Sequence, residues 1–381
     1  MNRNPVNKIP ISVLLLLLSV VCATPVLSQP APAPPAESTA LTISRVGVES
    51  KPFNPTRGEV KTIFYQTSMP AKVSVKIFDP GMFLVRELLL ESPGSFARVP
   101  WDGKDQEGNI VPDEAYFFTL EATDYGGNFV FYDPLALSGV ESFEPEVVYD
   151  PERRSVTYKL EKDARVRVRA GIASGGPLLK NIVPGIPQVA GPHEQPWDGM
   201  DESGVVEATS QKGFTLTAEA TTLPENSLIT EGNTAYDYVR YRYEMVRERP
   251  KKIERPPPKT KGPFPDQRNG GPRQMCPDPK LHLELPKNVP LGEKDLPILQ
   301  GKVPIRIYLD DKIKKYVTEQ RYELLFFVDF KFISEIEEGH SPVNWLWDTS
   351  KVGEGEHIFS VNVATLTGQV GCAHLKLLIR R

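Results

Sequence analysis

Cysteine is scarce in this sequence: Cys22, Cys276 and Cys372 are the only three in 381 residues. So few thiols exclude a disulfide-dense scaffold, and the core must come from apolar burial. No Cys-x-x-Cys-His occurs, which excludes covalent c-type haem. The five histidines, His193, His282, His340, His357 and His374, form no short-spaced pair of the kind a metal site uses. Gly-x-Ser-x-Gly is missing, and the nearest string, Gly171 to Gly175, has the wrong spacing. Phosphate-loop and dinucleotide fingerprints are missing too. These absences leave no recognisable catalytic signature, so the expectation is a non-enzymatic protein without a cofactor or metal.

Long apolar runs are equally scarce. The one candidate, Val13 to Ala23, is shorter than the about 20 residues a membrane span needs. It follows Arg3 and Lys8 and precedes Val26-Leu27-Ser28, the pattern of a secretory signal peptide over residues 1–28, cleaved before Gln29. Cys22 ends the apolar core, but Val21 stands where lipidation prefers Gly, Ala or Ser; export without a lipid anchor is the expectation. The destination is then the periplasm or the cell surface, with no transmembrane span in the mature chain. Removing residues 1–28 leaves 43 Lys+Arg against 49 Asp+Glu, a net charge of −6. That balance argues against nucleic acid as a partner.

What is present is a repeat. Trp101-Asp102-Gly103-Lys104-Asp105-Gln106-Glu107-Gly108 returns 96 residues later as Trp197-Asp198-Gly199-Met200-Asp201-Glu202-Ser203-Gly204. A period of this length is the size of a β-sandwich. Alternation over Ala71 to Phe78, with Val73, Val75 and Ile77 on one side, marks a half-buried strand. Ala164 to Ala170 repeats it, with Val166 and Val168 inward and Arg165, Arg167 and Arg169 outward. Gly/Pro turns separate such strands at short intervals, which predicts an all-β fold of tandem immunoglobulin-like sandwiches.

The expected organisation is a Pro/Ala-rich spacer over 29–40, a first domain over 41–138 and a second over 139–246. Tyr236 to Val246 is read as an added strand with its arginines in water. Residues 247–280 hold nine prolines, ten Lys/Arg and four Asp/Glu, which predicts a basic linker. A third domain fills 281–381. Its strands are expected over Val303 to Leu309, Tyr322 to Ile333, Glu356 to Ala364 and Ala373 to Ile379, and Trp347-Asp348 echoes the tryptophan turn.

The entry Pro52-Phe53-Asn54-Pro55, the strand ending Ile77-Phe78-Asp79, Val85-Arg86-Glu87-Leu88 and the Trp101-Asp102-Gly103 turn running into Tyr116-Phe117 resemble the immunoglobulin-like domain of the flagellar hook-capping protein family. Glu114 stands where that family usually has Gly. The second copy keeps little beyond its turn, and the third unit resembles more distant immunoglobulin-like domains of secreted bacterial proteins. The resemblance implies assembly or linking modules. The family's flagellar N-terminal region is absent, so it implies no flagellar role.

Two chemical readings of the tryptophan turn compete. As a calcium loop it would need six to eight oxygens, and its carboxylates at 102/105 and 198/201 lack that spacing. As a folding element it needs a buried Trp101 or Trp197, Asp side chains that accept backbone N–H bonds, and glycines at 103, 108, 199 and 204 for positive φ. The second reading explains more residues. Cys276 and Cys372 are the mature thiols, and export permits a bridge between them. Binding to other envelope proteins through sandwich edges and loops is the expected function. The alternative is carbohydrate binding through Tyr236, Tyr238, Tyr241 and Tyr243.

Overall fold

The computed structural model describes residues 40–49, 51–94, 96–137, 141–233, 238, 241, 278–318 and 321–381. The expected signal peptide, nearly all of the expected spacer, most of the expected linker, Cys22, Cys276, Tyr236 and Tyr243 lie outside them. Strands dominate, and they form three β-sandwiches.

In the first, β1 (Ile43–Val48), β2 (Lys61–Thr67) and β5 (Phe96–Trp101) make one sheet. Facing it are β3 (Pro70–Phe78), β4 (Leu84–Pro93), β6 (Ala115–Asp124) and β7 (Phe129–Tyr132). The alternation read in β3 is real: Val73, Val75 and Ile77 are buried with Ile63, Tyr65, Trp101 and Phe118 between the sheets. In the second, β9 (Val147–Asp150), β10 (Ser155–Leu160) and β13 (Gly191–Pro196) face β8 (Ser142–Phe143), β11 (Ala164–Ile172), β12 (Leu178–Gln188) and β14 (Phe214–Thr222). Its core is smaller and rich in alanine and valine around Trp197.

The chain then returns. Strand β15 (Leu228–Ile229) pairs antiparallel with β6 of the first sandwich, opposite Tyr116 and Ala115. Phe53 N–H donates to Ile229 O at 3.1 Å, and Leu228 and Tyr241 join the first core. Asn233 continues the return, its backbone N–H donating to Asp113 at 2.8 Å. The second sandwich is thus inserted into the first, and the segment after residue 223 serves the domain that precedes it. The expected strand over Tyr236 to Val246 is corrected at its two described positions. Tyr238 and Tyr241 are helical and buried, and the Tyr241 ring joins the first core rather than facing water.

In the third sandwich, β16 (Leu281–Glu284), β18 (Lys302–Leu309) and β21 (Val343–Asp348) face a five-stranded sheet. That sheet runs β17 (Ile298–Leu299), β23 (Val370–Ile379), β22 (Gly355–Thr365), β19 (Tyr322–Val328), β20 (Lys331–Ile336) in spatial order. The single strand expected over Tyr322 to Ile333 is a hairpin instead. It turns at Asp329 and Phe330, both left-handed with φ 47° and 65°. An aromatic stack of Phe326, Trp345, Trp347 and Phe359 fills this core.

Candidate functional site: the arginine row and the two joints

Strand β11 carries the chemistry that joins the sandwiches. Its even-numbered valines, Val166 and Val168, face the second core at 0% exposure. Period-two geometry therefore sends Arg165, Arg167 and Arg169 to the outer face. Outward here does not mean solvated: Arg165 and Arg167 are only 8% and 6% exposed. A buried guanidinium needs a partner, and each arginine takes one in a different place.

Arg165 Nη2 pairs with Glu114 Oε1 of the first sandwich, and Arg165 Nη1 donates to Gly185 O at 2.8 Å. Glu114 also accepts from Ala115 N–H at 2.7 Å. Thr230, on the returning segment, closes this joint: its hydroxyl accepts from Glu114 N–H at 3.0 Å and donates to Pro112 O at 2.9 Å. Apolar contact of Ala115, Leu223, Ile229 and Val189 backs it. Arg167 lies opposite Glu219 in the β11–β14 register and reaches its carboxylate at 3.7 Å. Burial, and then the neighbouring Arg169 charge, lowers the Arg167 guanidinium from its ordinary range.

Arg169 turns to the third sandwich. Its Nη2 donates to Gly368 O at 3.0 Å and lies 3.5 Å from Asp278 Oδ1, while its Nε holds Asn181 at 3.1 Å. Asn181 Nδ2 in turn donates to Val370 O at 2.6 Å. Further along β23, His374 N–H donates to Ser203 Oγ at 2.9 Å. The His374 ring is 2% exposed with Nδ1 2.8 Å from Ser360 Oγ, and burial pushes it down to about 4.

The two tryptophan turns share most of their bonds. Trp101 Nε1 donates to Lys104 O at 3.0 Å, and Trp197 Nε1 to Met200 O at 2.9 Å. Asp102 and Asp198 accept from the N–H two residues on, at 3.2 and 3.0 Å. Asp105 Oδ1 accepts from Glu107 and Asn109 N–H, as Asp201 Oδ1 does from Val205 and Val206 N–H. Gly103, Gly108, Gly199 and Gly204 all have positive φ. The carboxylates are thus engaged with backbone donors. Among the described residues, no group of three or more His, Cys, Asp or Glu could hold a metal ion.

The second carboxylate oxygen separates the copies further. Asp105 Oδ2 accepts from Tyr241 Oη at 3.0 Å, whereas Asp201 Oδ2 is buried without a partner. The third turn keeps the buried Trp347, but Asp348 caps a short 3-10 turn, accepting from Ser350 N–H and Oγ. The proposed glycan platform loses Tyr238 and Tyr241, which are buried; Tyr236 and Tyr243 lie outside the described residues. Cys372 is a buried free thiol, and its expected partner Cys276 lies outside the described residues. Burial, and then the charges of Glu202 and Asp201, push the Cys372 thiol well above its usual range.

No family model and no curated protein sequence matches the chain. Solved structures do. One belongs to a 1.5-MDa bacterial ice-binding adhesin studied for host cell surface retention: 9% identity, TM-score 0.18, covering 90% of this chain and 99% of that one. A tetra-tandem repeat from the extending region of a large adhesion protein aligns at 11% identity and TM-score 0.19, covering 90% and 74%. Dimeric latent PorU from Porphyromonas gingivalis aligns at 8% identity and TM-score 0.19, covering 89% and 34%.

Two measurements test the joints. Glu114→Ala leaves the Arg165 guanidinium buried without its counter-charge and should destabilise by about 3–5 kcal/mol in urea titration. The double change Glu114→Leu with Arg165→Met should recover most of that loss; an effect below about 1 kcal/mol for the single change would mean the pair is solvated. The second measurement is stability against pH. An unfolded His374 takes up a proton near 6.5 and the native ring only near 4, so stability is full above pH 6.5 and falls as pH drops towards 4, by on the order of 3 kcal/mol. Burial raises Asp201, which acts in the opposite sense nearer pH 4. His374→Gln should flatten the slope between pH 6.5 and 5.

Proposed function

We propose that this is an exported, non-enzymatic structural or adaptor protein of a periplasmic or cell-surface assembly, built to hold binding surfaces at fixed positions. The observation that carries this reading is the first joint. Two chain crossings, a shared sheet and a buried ion pair tie the first two sandwiches together. A chain linked once can swivel; a chain linked twice through a common sheet is held. Rigid spacing of this kind serves assembly, and it agrees with the signal peptide read at the N-terminus and with the resemblance of the first module to assembly domains.

Partner proteins would bind at sandwich edges. Strand β7, Phe129-Val130-Phe131-Tyr132, pairs among the described residues only with β6. It has no charge, proline or bulge to blunt it, and Phe129 is 57% exposed. Tagged mature protein should recover a stoichiometric protein partner from envelope extracts, and Phe129→Lys should weaken that capture at least tenfold. Recovery of the protein alone, with retention on cell-wall glycan, would overturn the reading in favour of carbohydrate binding.

A Cys276–Cys372 bridge belongs to the same proposal. Pro279, three residues after Cys276, runs so close to Gly371 that a side chain there would collide with its carbonyl. Peptide mapping without reductant should yield the linked pair; alkylation of both thiols in the native protein would exclude it.

A further inference from the structure

The second joint is built differently from the first. One chain connection, not two, reaches the third sandwich after residue 241. Among the described residues no strand is shared across the joint. The open edge of β23 is instead covered by side chains: Asn181 donates to Val370 O, Asp278 accepts from Val370 N–H at 3.2 Å, and Ser203 accepts from His374 N–H. Asn181 and Ser203 belong to the second sandwich, so that domain occupies the place a neighbouring strand would take.

This cover is held against opposing terms. Asp201 Oδ2, Asp278 Oδ2 and Gln369 Nε2 are buried at or beside the joint without hydrogen-bond partners. A buried polar group left unpaired disfavours the state that buries it. The β19–β20 turn of the third sandwich also reaches the joint. Asp329 and Phe330 are consecutive non-glycine residues in the left-handed region, where a bulky side chain is an outlier. Backbone bonds to Ile358 at 2.9 and 3.0 Å, and the His357 ring at 2.7 Å from Asp329 Oδ2, brace the turn. The strain has a visible counterpart, since the Phe330 side chain of the third sandwich packs against the core of the second.

We propose that the second sandwich is a removable cover over the open edge of β23. The joint opens under native conditions while all three sandwiches and the first joint stay folded. Phe330 is the latch, and the unpaired polar atoms keep the closed state only marginally favoured. Opening hydrates the unpaired polar atoms and presents the backbone of Val370 to His374 as a free sheet edge.

Cys372 reports on this directly. It sits on the covered stretch of β23 at 3% exposure, beside Glu202 and Asp201 of the second sandwich. In mature Cys276→Ser protein it is the sole thiol. Labelling with an aromatic disulfide reagent at pH 8.5 should proceed in the absence of denaturant. Its rate should depend only weakly on low urea, as expected for a sub-global opening. Phe330→Ala should speed labelling at least tenfold with little change in the urea midpoint of the sandwiches, and Ser203→Ala should speed it several-fold. Labelling that follows the full urea dependence of global unfolding would overturn the proposal, as would a rate that neither substitution changes.

Discussion

A guanidinium buried on the outer face of a sheet has to find a carboxylate, and Arg165 finds one on another domain. That requirement organises the first joint. Glu114 must be held at the start of β6, which Thr230 does by bonding its backbone. Thr230 must return from beyond the second sandwich, so the chain doubles back and β15 adds to β6. Arg169, four residues along the same strand, repeats the logic towards the third sandwich through Gly368 and Asp278. One face of one strand therefore connects all three domains.

The repeated turn has a different place in this scheme. Its tryptophan and aspartates close each of the first two sandwiches locally, with the indole and the first aspartate bonded alike in both copies. The copies part most at the second carboxylate oxygen of the second aspartate. In the first, Tyr241 from the returning segment satisfies it; in the second, nothing does, and that oxygen lies at the joint the third sandwich covers. A motif that is purely local in its bonding thus acquires a different long-range neighbour in each domain.

Local signals in the chain were legible. The alternation of Val73, Val75 and Ile77, and of Val166 and Val168, placed strands where they occur, and the 96-residue offset identified two modules. Long-range consequences were not. Alternation puts Arg165 on the outer face but cannot say that another domain covers that face. The departure from the family pattern at Glu114 was visible as an odd residue in a turn; its partner lies 51 residues away. The tyrosines after residue 235 alternate with arginines as a strand would, yet Tyr238 and Tyr241 are helical, and Tyr241 completes a core laid down more than a hundred residues earlier. Asp329-Phe330 carries no glycine or asparagine to announce a turn, which is why the β19–β20 hairpin reads as one strand.

The insertion of the second sandwich also decides how the protein bears tension. Force applied between an anchored N-terminal end and a loaded C-terminal end enters the first sandwich at β1 and leaves it after the returning segment at Tyr241. The inserted domain begins and ends within that folded unit, so once its contacts to the third sandwich part it lies off the load path as long as the first sandwich holds. Strand β15 is then the shear-bearing element, whereas Arg165–Glu114 only tethers the second sandwich, whose surfaces keep their shape while its neighbours are pulled.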